Sequence, residues 1–324
     1  MQSGWRTRDD GERMKVDPVL ERFGPPPTAP VPAWIGDARH TLRTAAAAVL
    51  GIDERELNRR WWWREDRDGG TEVRYAFYRA LEALERPAGT AAGAVAPAGA
   101  RPAGAEPFAH ATAARWDLHG LLAPLVDADL DADPGGGEWT IRQTLAHIVH
   151  VQRAYPAFGS WWLSREQTAE LPSSIPDGVD EGFPAEEADG EGSLAEIRAR
   201  LDDAMDGAAE RMASLDESQL ATPARWSGYA VDVGFRLGRM SSHLQEHTVQ
   251  VDKTLVMLGR TPPEGHRLVR LVFRAYGRLE GVVYGLPQAL ASAGREPIVA
   301  SVTEVANAFD HVRRPGSVTD FGQG

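Results

Sequence analysis

The chain has 324 residues, a net charge of −12 and no cysteine. This length provides enough core for about two domains, and the negative charge argues against a general binder of nucleic acid or of anionic membranes. The absence of cysteine excludes disulfides and thiolate metal ligands, so a transition metal must be held by histidine and carboxylate. No apolar run approaches the roughly 20 residues of a membrane span, and no signal-peptide pattern opens the chain, so we expect a cytoplasmic protein.

The first third of the sequence predicts three parts. Residues 1–33 end in ERFGPPPTAPVP and predict a proline-rich tail, because clustered prolines cannot continue a helix. Residues 34–86 predict a small module of three helices, in DARHTLRTAAAAVLGI, ERELNRRWWWRE and TEVRYAFYRALEALE. Residues 87–107 are rich in Ala, Pro and Gly and predict a flexible linker. We expect Trp61–Trp63 to pack in a core, with ligand stacking or a dimer contact as the alternative.

Residues 108–314 predict an all-α domain, a four-helix bundle with additional C-terminal helices. The four predicted helices are Thr112–Asp127, one that follows Thr140 and runs to Leu163, one that follows Ser193 and runs to Ser214, and Val233–Gly259. Thr140 and Ser193 are expected caps, the latter with Glu196 as its capping-box partner. The acidic segment 164–192 is long enough to predict a functional flap or a disordered connection.

A histidine pair stands in the last of these helices, in RLGRMSSHLQEHTVQVDKTLVMLG. At roughly 100° per residue, its apolar residues form one stripe. They are Val233, Leu237, Met240, Leu244, Val251, Leu255 and Leu258. His243 and His247 lie on that stripe or at its edge. Two imidazoles one helical turn apart are well placed to share a metal ion.

A third histidine, His147, lies at the margin of the apolar face of the second bundle helix. His150 points away from that face, so it is expected at the surface or behind a ligand. Three neutral imidazoles leave one tetrahedral position for water or substrate, the arrangement of catalytic zinc. The alternative is that all three are histidines at the core edge that hydrogen-bond to their neighbours.

Three other side chains near the pair are candidates for supporting roles. Glu246 either accepts a hydrogen bond from a ligand imidazole or is a solvated charge. Arg236 and Arg239 either bind the carboxylate of a small substrate or thiol cofactor, or extend along the surface from the helix end.

Residues 108–260 resemble the DinB-like superfamily. The resemblance rests on EWTIRQTLAHIVHVQ (Glu138–Gln152) and HLQEHTVQVDKTLVMLG (His243–Gly259). In that family a tryptophan opens the second helix, a histidine follows about two turns later, and a His-x-x-x-His pair lies on the fourth helix. The resemblance implies an up-down-down-up bundle in which His147, His243 and His247 hold a divalent ion, often zinc or nickel.

The resemblance also implies a class of functions. Its members include metal-dependent hydrolases and mycothiol- or bacillithiol-dependent transferases and isomerases, so an enzyme that activates a mycothiol-like thiol or a water is our first hypothesis. The alternative is a non-catalytic stress-response or binding module with a structural metal or none. We expect a small-molecule partner, a homodimer, and neither nucleic acid nor membrane, since ten arginines balance ten acidic residues between Asp37 and Arg86.

Overall fold

The structure is a computed structural model that describes residues 31–61, 70–166 and 170–313, together with the backbone of 5–7 and 13–15. Apart from 5–7, 13–15 and 31–33, the predicted proline-rich tail 1–33 therefore lies outside the described residues. Two members of the tryptophan cluster, Trp62 and Trp63, also lie outside them, as do positions 167–169 of the acidic segment.

The described residues form twelve helices and three short antiparallel hairpins, which confirms the all-α class. The helices are α1 (Ala33–Ala47), α2 (Glu54–Leu57), α3 (Arg74–Val95), α4 (Ala105–Leu122), α5 (Ile141–Ser164), α6 (Glu186–Asp189), α7 (Leu194–Met212), α8 (Glu217–Leu220), α9 (Val233–Met257), α10 (Glu264–Gly281), α11 (Gln288–Ala293) and α12 (Arg295–Arg313). The hairpins pair β1 (Trp5–Thr7) with β2 (Arg13–Lys15), β3 (Arg60–Trp61) with β4 (Thr71–Glu72), and β5 (Pro223–Trp226) with β6 (Tyr229–Asp232). None of the described helices combines the length and apolarity that crossing a membrane requires.

Helices α4, α5, α7 and α9 form the central bundle. Helix α9 packs against α4 and α5, and α7 packs against α5 and α4. The predicted caps are confirmed. The Thr140 hydroxyl accepts from the backbone N–H of Gln143, and the side-chain oxygen of Gln143 accepts from the backbone N–H of Thr140. Ser193 and Glu196 form the same capping box. Because a capping box fixes where a helix begins, the first of these boxes sets the phase that turns His147 toward α9.

A second layer of helices, α1, α3, α10 and α12, covers the α4 side of the bundle. Helix α10 packs on α4 and α3, and α12 packs on α3 and α1. Gly277 lets α10 approach α4 closely, since a Cβ there would lie 2.6 Å from the Trp116 Cβ. N-terminal and C-terminal helices share this layer, and the predicted division into 34–86 and 108–314 stays a prediction.

The prediction of a flexible linker over 87–107 is wrong for its first half. Residues 87–95 continue helix α3, and a 3-10 turn follows over 96–98. Alanine favours helix strongly, and burial of Ala91 and Val95 stabilises this extension against the neighbouring helices. Pro87 lies inside the helix, where tertiary packing offsets the lost backbone bond.

Other predicted helices also differ in their bounds, among them the first, predicted over residues 37–52 and observed at Ala33–Ala47. In the described part of ERELNRRWWWRE, residues 54–61, the helix is limited to Glu54–Leu57, and Arg60–Trp61 is a strand paired with Thr71–Glu72. Aromatic residues favour such strands, and the Trp61 ring is buried. Helix α4 begins at Ala105, before the predicted Thr112, because a proline is tolerated in the first turn of a helix and Pro107 falls there.

A buried ionic network joins the two layers. Arg39 of α1 donates to Asp206 of α7 at 2.6 Å and to Glu280 of α10 at 2.7 Å. Arg115 of α4 donates to the same two carboxylates at 3.0 and 2.8 Å. The Tyr284 hydroxyl is a third donor to Asp206, at 2.6 Å. Buried charges persist only when they are paired and hydrogen-bonded, so this network fixes one arrangement of α1, α4, α7 and α10.

Candidate metal centre

The structure brings the three predicted histidines together between α5 and α9. Nε2 of His147 lies 3.3 Å from Nε2 of His243, and one ring nitrogen from each of the three residues falls within 4.8 Å of the others. His243 is 5% and His247 9% exposed, while His147 lies nearer the solvent.

The contact between α5 and α9 sets this geometry. Gln152 of α5 is fully buried and donates from its amide to the Met240 carbonyl of α9 at 3.1 Å. Asp232 caps α9 by accepting from the Phe235 amide at 2.6 Å. Together they fix the separation and the start of the helix, and hence where its histidines point.

Two of the imidazoles have an acceptor behind them. Nδ1 of His147 lies 3.2 Å from both carboxylate oxygens of Glu186, and Nδ1 of His247 lies 2.7 Å from Oε1 of Gln250. A carboxylate or an amide oxygen only accepts, so each Nδ1 carries the proton. The Nε2 lone pairs of both rings are therefore free, which is how metal-binding histidines are usually prepared.

The electrostatic environment keeps the buried pair neutral. Burial, followed by the proximity of His247 and His147, lowers the pKa of His243 to about 3. Burial also lowers the pKa of His247, against the raising effect of its bond to Gln250. Both rings are thus neutral at neutral pH, and only a neutral imidazole has the free lone pair that binds a metal ion.

Aromatic rings form two walls of this cluster. Trp139 stacks parallel to His247 at a centroid distance of 6.5 Å and meets His147 edge-on at 5.3 Å. Tyr155 meets His243 edge-on at 5.8 Å, and burial raises the pKa of its hydroxyl. The walls limit rotation of all three imidazoles.

The donor set fits a zinc-like ion. With metal–nitrogen bonds of about 2.1 Å, two ligands of a tetrahedral centre lie about 3.4 Å apart. The separation of 3.3 Å between His147 and His243 matches this edge. Among the described residues, these three histidines form the group of potential metal ligands whose donor atoms lie close enough to share an ion. No carboxylate belongs to that group. Positions for water or substrate would stay open.

The other candidates lie around this cluster in different ways. Arg239 lies over the Trp226 ring at 5.3 Å and pairs with Glu246 at 3.4 Å. Arg236 is buried, lies over Phe158 and donates to the Arg225 carbonyl at 2.5 Å, so it does not extend into solvent.

Glu246 contacts Arg239, and the side chains that accept hydrogen bonds from the imidazoles are Glu186 and Gln250. His150 faces Asp189, with Nδ1 at 3.5 Å from the carboxylate. It lies outside the three-histidine group.

Sequence reasoning missed both acceptors. Gln250 stands three residues after His247 on the same helix, where side chains meet, so helical spacing was a usable signal. Glu186 is 39 residues from His147, in an acidic segment without periodicity. No local pattern distinguishes it from its acidic neighbours.

Comparison with protein-family models gives a match to the DinB superfamily over residues 110–251. The matched segment contains all three histidines, the whole of the first motif and the first nine residues, 243–251, of the second motif. Neither the curated proteins nor the solved structures give a significant match.

Proposed function

Because residues 110–251 belong to the DinB superfamily, we propose that the chain is an enzyme in which His147, His243 and His247 hold a divalent ion, zinc or nickel. The observation that carries this proposal is that oxygens of Glu186 and Gln250 lie against Nδ1 of His147 and His247, while one ring nitrogen from each of the three histidines lies within 4.8 Å of the others. With the protons on Nδ1, the Nε2 lone pairs of His147 and His247 are available to a metal ion.

The ion would lower the pKa of a bound thiol or water into the neutral range. The chain's own residues supply the rest of the site. The three imidazoles orient the ion and leave an open position for a mycothiol-like thiol or for water. Trp139 and Tyr155 shield two sides of the cluster from solvent.

Arg239 is better placed than Arg236 to bind an anionic group of a substrate or thiol. Burial raises the pKa of the Tyr155 hydroxyl and lowers the pKa of His243, and the positive charge of Arg239 acts to lower both, so Arg239 lies beside the cluster. Arg236 is engaged by a backbone carbonyl at the start of α9. A carboxylate on the substrate would replace Glu246 as the partner of Arg239 at little cost, because that exposed pair is weak.

Cobalt substitution separates the two chemistries. The Co²⁺-loaded protein would be titrated with mycothiol or with N-acetylcysteine, and absorption would be recorded. A thiolate-to-cobalt charge-transfer band supports thiol activation. Hydrolysis of an ester or amide panel without added thiol, in the absence of such a band, supports water activation.

The variant Arg239→Gln tests the role of the guanidinium and leaves the three imidazoles in place. It should bind Co²⁺ as the wild type does, but a thiol that carries a carboxylate should be needed at higher concentration to produce the charge-transfer band. A metal-loaded protein that shows neither the band nor hydrolysis would contradict the enzymatic proposal and favour a binding module.

A further inference from the structure

A short segment of the acidic connection is held firmly against the bundle beside the histidines. Residues 185–192, here called the α6 clasp, contain the single-turn helix Glu186–Asp189. Asp189 is 1% exposed and accepts two bonds from the Arg153 guanidinium, at 3.0 and 3.2 Å. His150 approaches the same carboxylate at 3.5 Å.

The backbone of the α6 clasp is anchored as well. Arg142 of α5 donates to the carbonyls of Gly190 and Gly192, at 2.6 and 2.8 Å. Arg200 of α7 donates to the Asp189 carbonyl at 2.6 Å. Gly190 packs so closely that a Cβ would lie 2.8 Å from that of Ala146, the residue before His147. The α6 clasp is therefore docked on both helices that flank it.

This docking brings Glu186 to the candidate metal centre. Glu186 precedes Asp189 by three residues, so both side chains lie on the same side of the turn. The carboxylate of Glu186 meets His147 Nδ1 at 3.2 Å through both oxygens. Since the side chains of His147 and Glu186 are 24% and 40% exposed, this contact alone contributes little to stability.

We propose that Glu186 is a positioning residue for His147, and that docking of the α6 clasp and binding of the divalent ion reinforce each other. The proposal rests on the metal centre assigned above. A dication on Nε2 withdraws charge from the ring, so the Nδ1–H becomes a stronger donor to the carboxylate. Thermodynamic coupling is reciprocal. If docking of Glu186 raises the metal affinity by some factor, then bound metal raises the equilibrium constant for docking of the α6 clasp by the same factor.

The first test is a Co²⁺ titration of the full-length protein. Glu186→Ala should weaken Co²⁺ binding about 10- to 100-fold, the range for losing the partner of a ligand histidine. Glu186→Gln should fall between Ala and wild type, because its amide oxygen still accepts. The control is Glu187→Ala, an exposed neighbour on the same turn, which should bind as the wild type does. The Co²⁺ absorption spectrum should change in Glu186→Ala and not in Glu187→Ala, while the melting temperatures of the metal-free variants stay equal.

The second test measures reciprocity by hydrogen exchange at the amides of residues 186–192. Co²⁺ should slow their exchange in wild type and in Glu187→Ala, and should have little effect in Glu186→Ala. Unchanged Co²⁺ affinity in Glu186→Ala, or equal slowing in that variant, would overturn the proposal. If the wild type itself binds no Co²⁺, that result contradicts the proposed three-histidine metal centre, and it is distinguishable from a failure of the Glu186 proposal alone.

Discussion

Nε2 of His147 and Nε2 of His243 lie 3.3 Å apart, although 96 positions separate the residues in the sequence. Two lone pairs at this distance repel, so either one ring donates its proton to the other or both bind the same cation. Glu186 keeps the His147 proton on Nδ1, so in the first arrangement a neutral His243 donates its Nε2 proton to His147. In the second arrangement both Nε2 lone pairs bind one divalent cation, and this is the arrangement that the proposed function requires.

Trp139 should report metal binding directly. Its indole contacts His147 and His247, so a bound Co²⁺ is expected to quench its fluorescence. Trp139→Phe should lose most of the Co²⁺-dependent quenching while it retains metal. The control is Trp161→Phe on α5, which lies fourteen residues, or about 21 Å along the helix axis, beyond His147. Quenching that persists in Trp139→Phe would place the ion elsewhere.

His119 should make the fold sensitive to acid. It is buried, Nε2 lies 2.9 Å from Asp202, and Nδ1 accepts from Arg198 at 3.1 Å. Burial lowers its pKa to about 3. The unfolded chain binds a proton near pH 6.5 that the folded protein does not, so stability falls as the pH drops from about 6.5 toward 3.

The measurement is urea unfolding in chelator between pH 6.5 and 4.5. One extra proton in the unfolded state contributes at most about 1.4 kcal/mol per pH unit to the slope of the unfolding free energy against pH. His119→Asn should lower the slope by about this amount. His110→Asn, at an exposed position of the same helix, should not. Equal slopes in wild type and His119→Asn would contradict the burial argument.

Arg39 should be among the costliest residues to remove. Arg39→Ala leaves the buried carboxylates of Asp206 and Glu280 with one guanidinium fewer. Breaking such a buried pair typically costs about 3–5 kcal/mol, seen as a lower urea midpoint. Arg79→Ala removes an exposed pair with Glu82 and should cost less than about 1 kcal/mol. Similar losses in both variants would show that the network does not hold the layers together.

The sequence carried the parts of the fold that depend on local rules. The capping boxes at Thr140 and Ser193 are set by residues three positions apart, and the structure has both. The inward phase of His243 and His247 follows from helical periodicity alone, and both are buried.

Contacts between distant segments could not be predicted in the same way. Arg39 meets Glu280 across 241 positions and Glu186 meets His147 across 39, and no spacing rule links them. The tract after Pro87 looked like a linker by composition, because burial of Ala91 and Val95 depends on helices far along the chain. Tertiary packing decided these cases.

Metal content is the most direct test of the central claim. Wild type and His243→Ala would be purified without chelator and analysed by elemental mass spectrometry, with His110→Ala as the control at an exposed histidine. We predict about one zinc or nickel ion per chain in wild type and in the control, and affinity lowered more than about 100-fold in His243→Ala, because one of three ligands is lost. Wild type without a divalent ion even after reloading, and a His243→Ala variant that melts at the same temperature, would contradict the account.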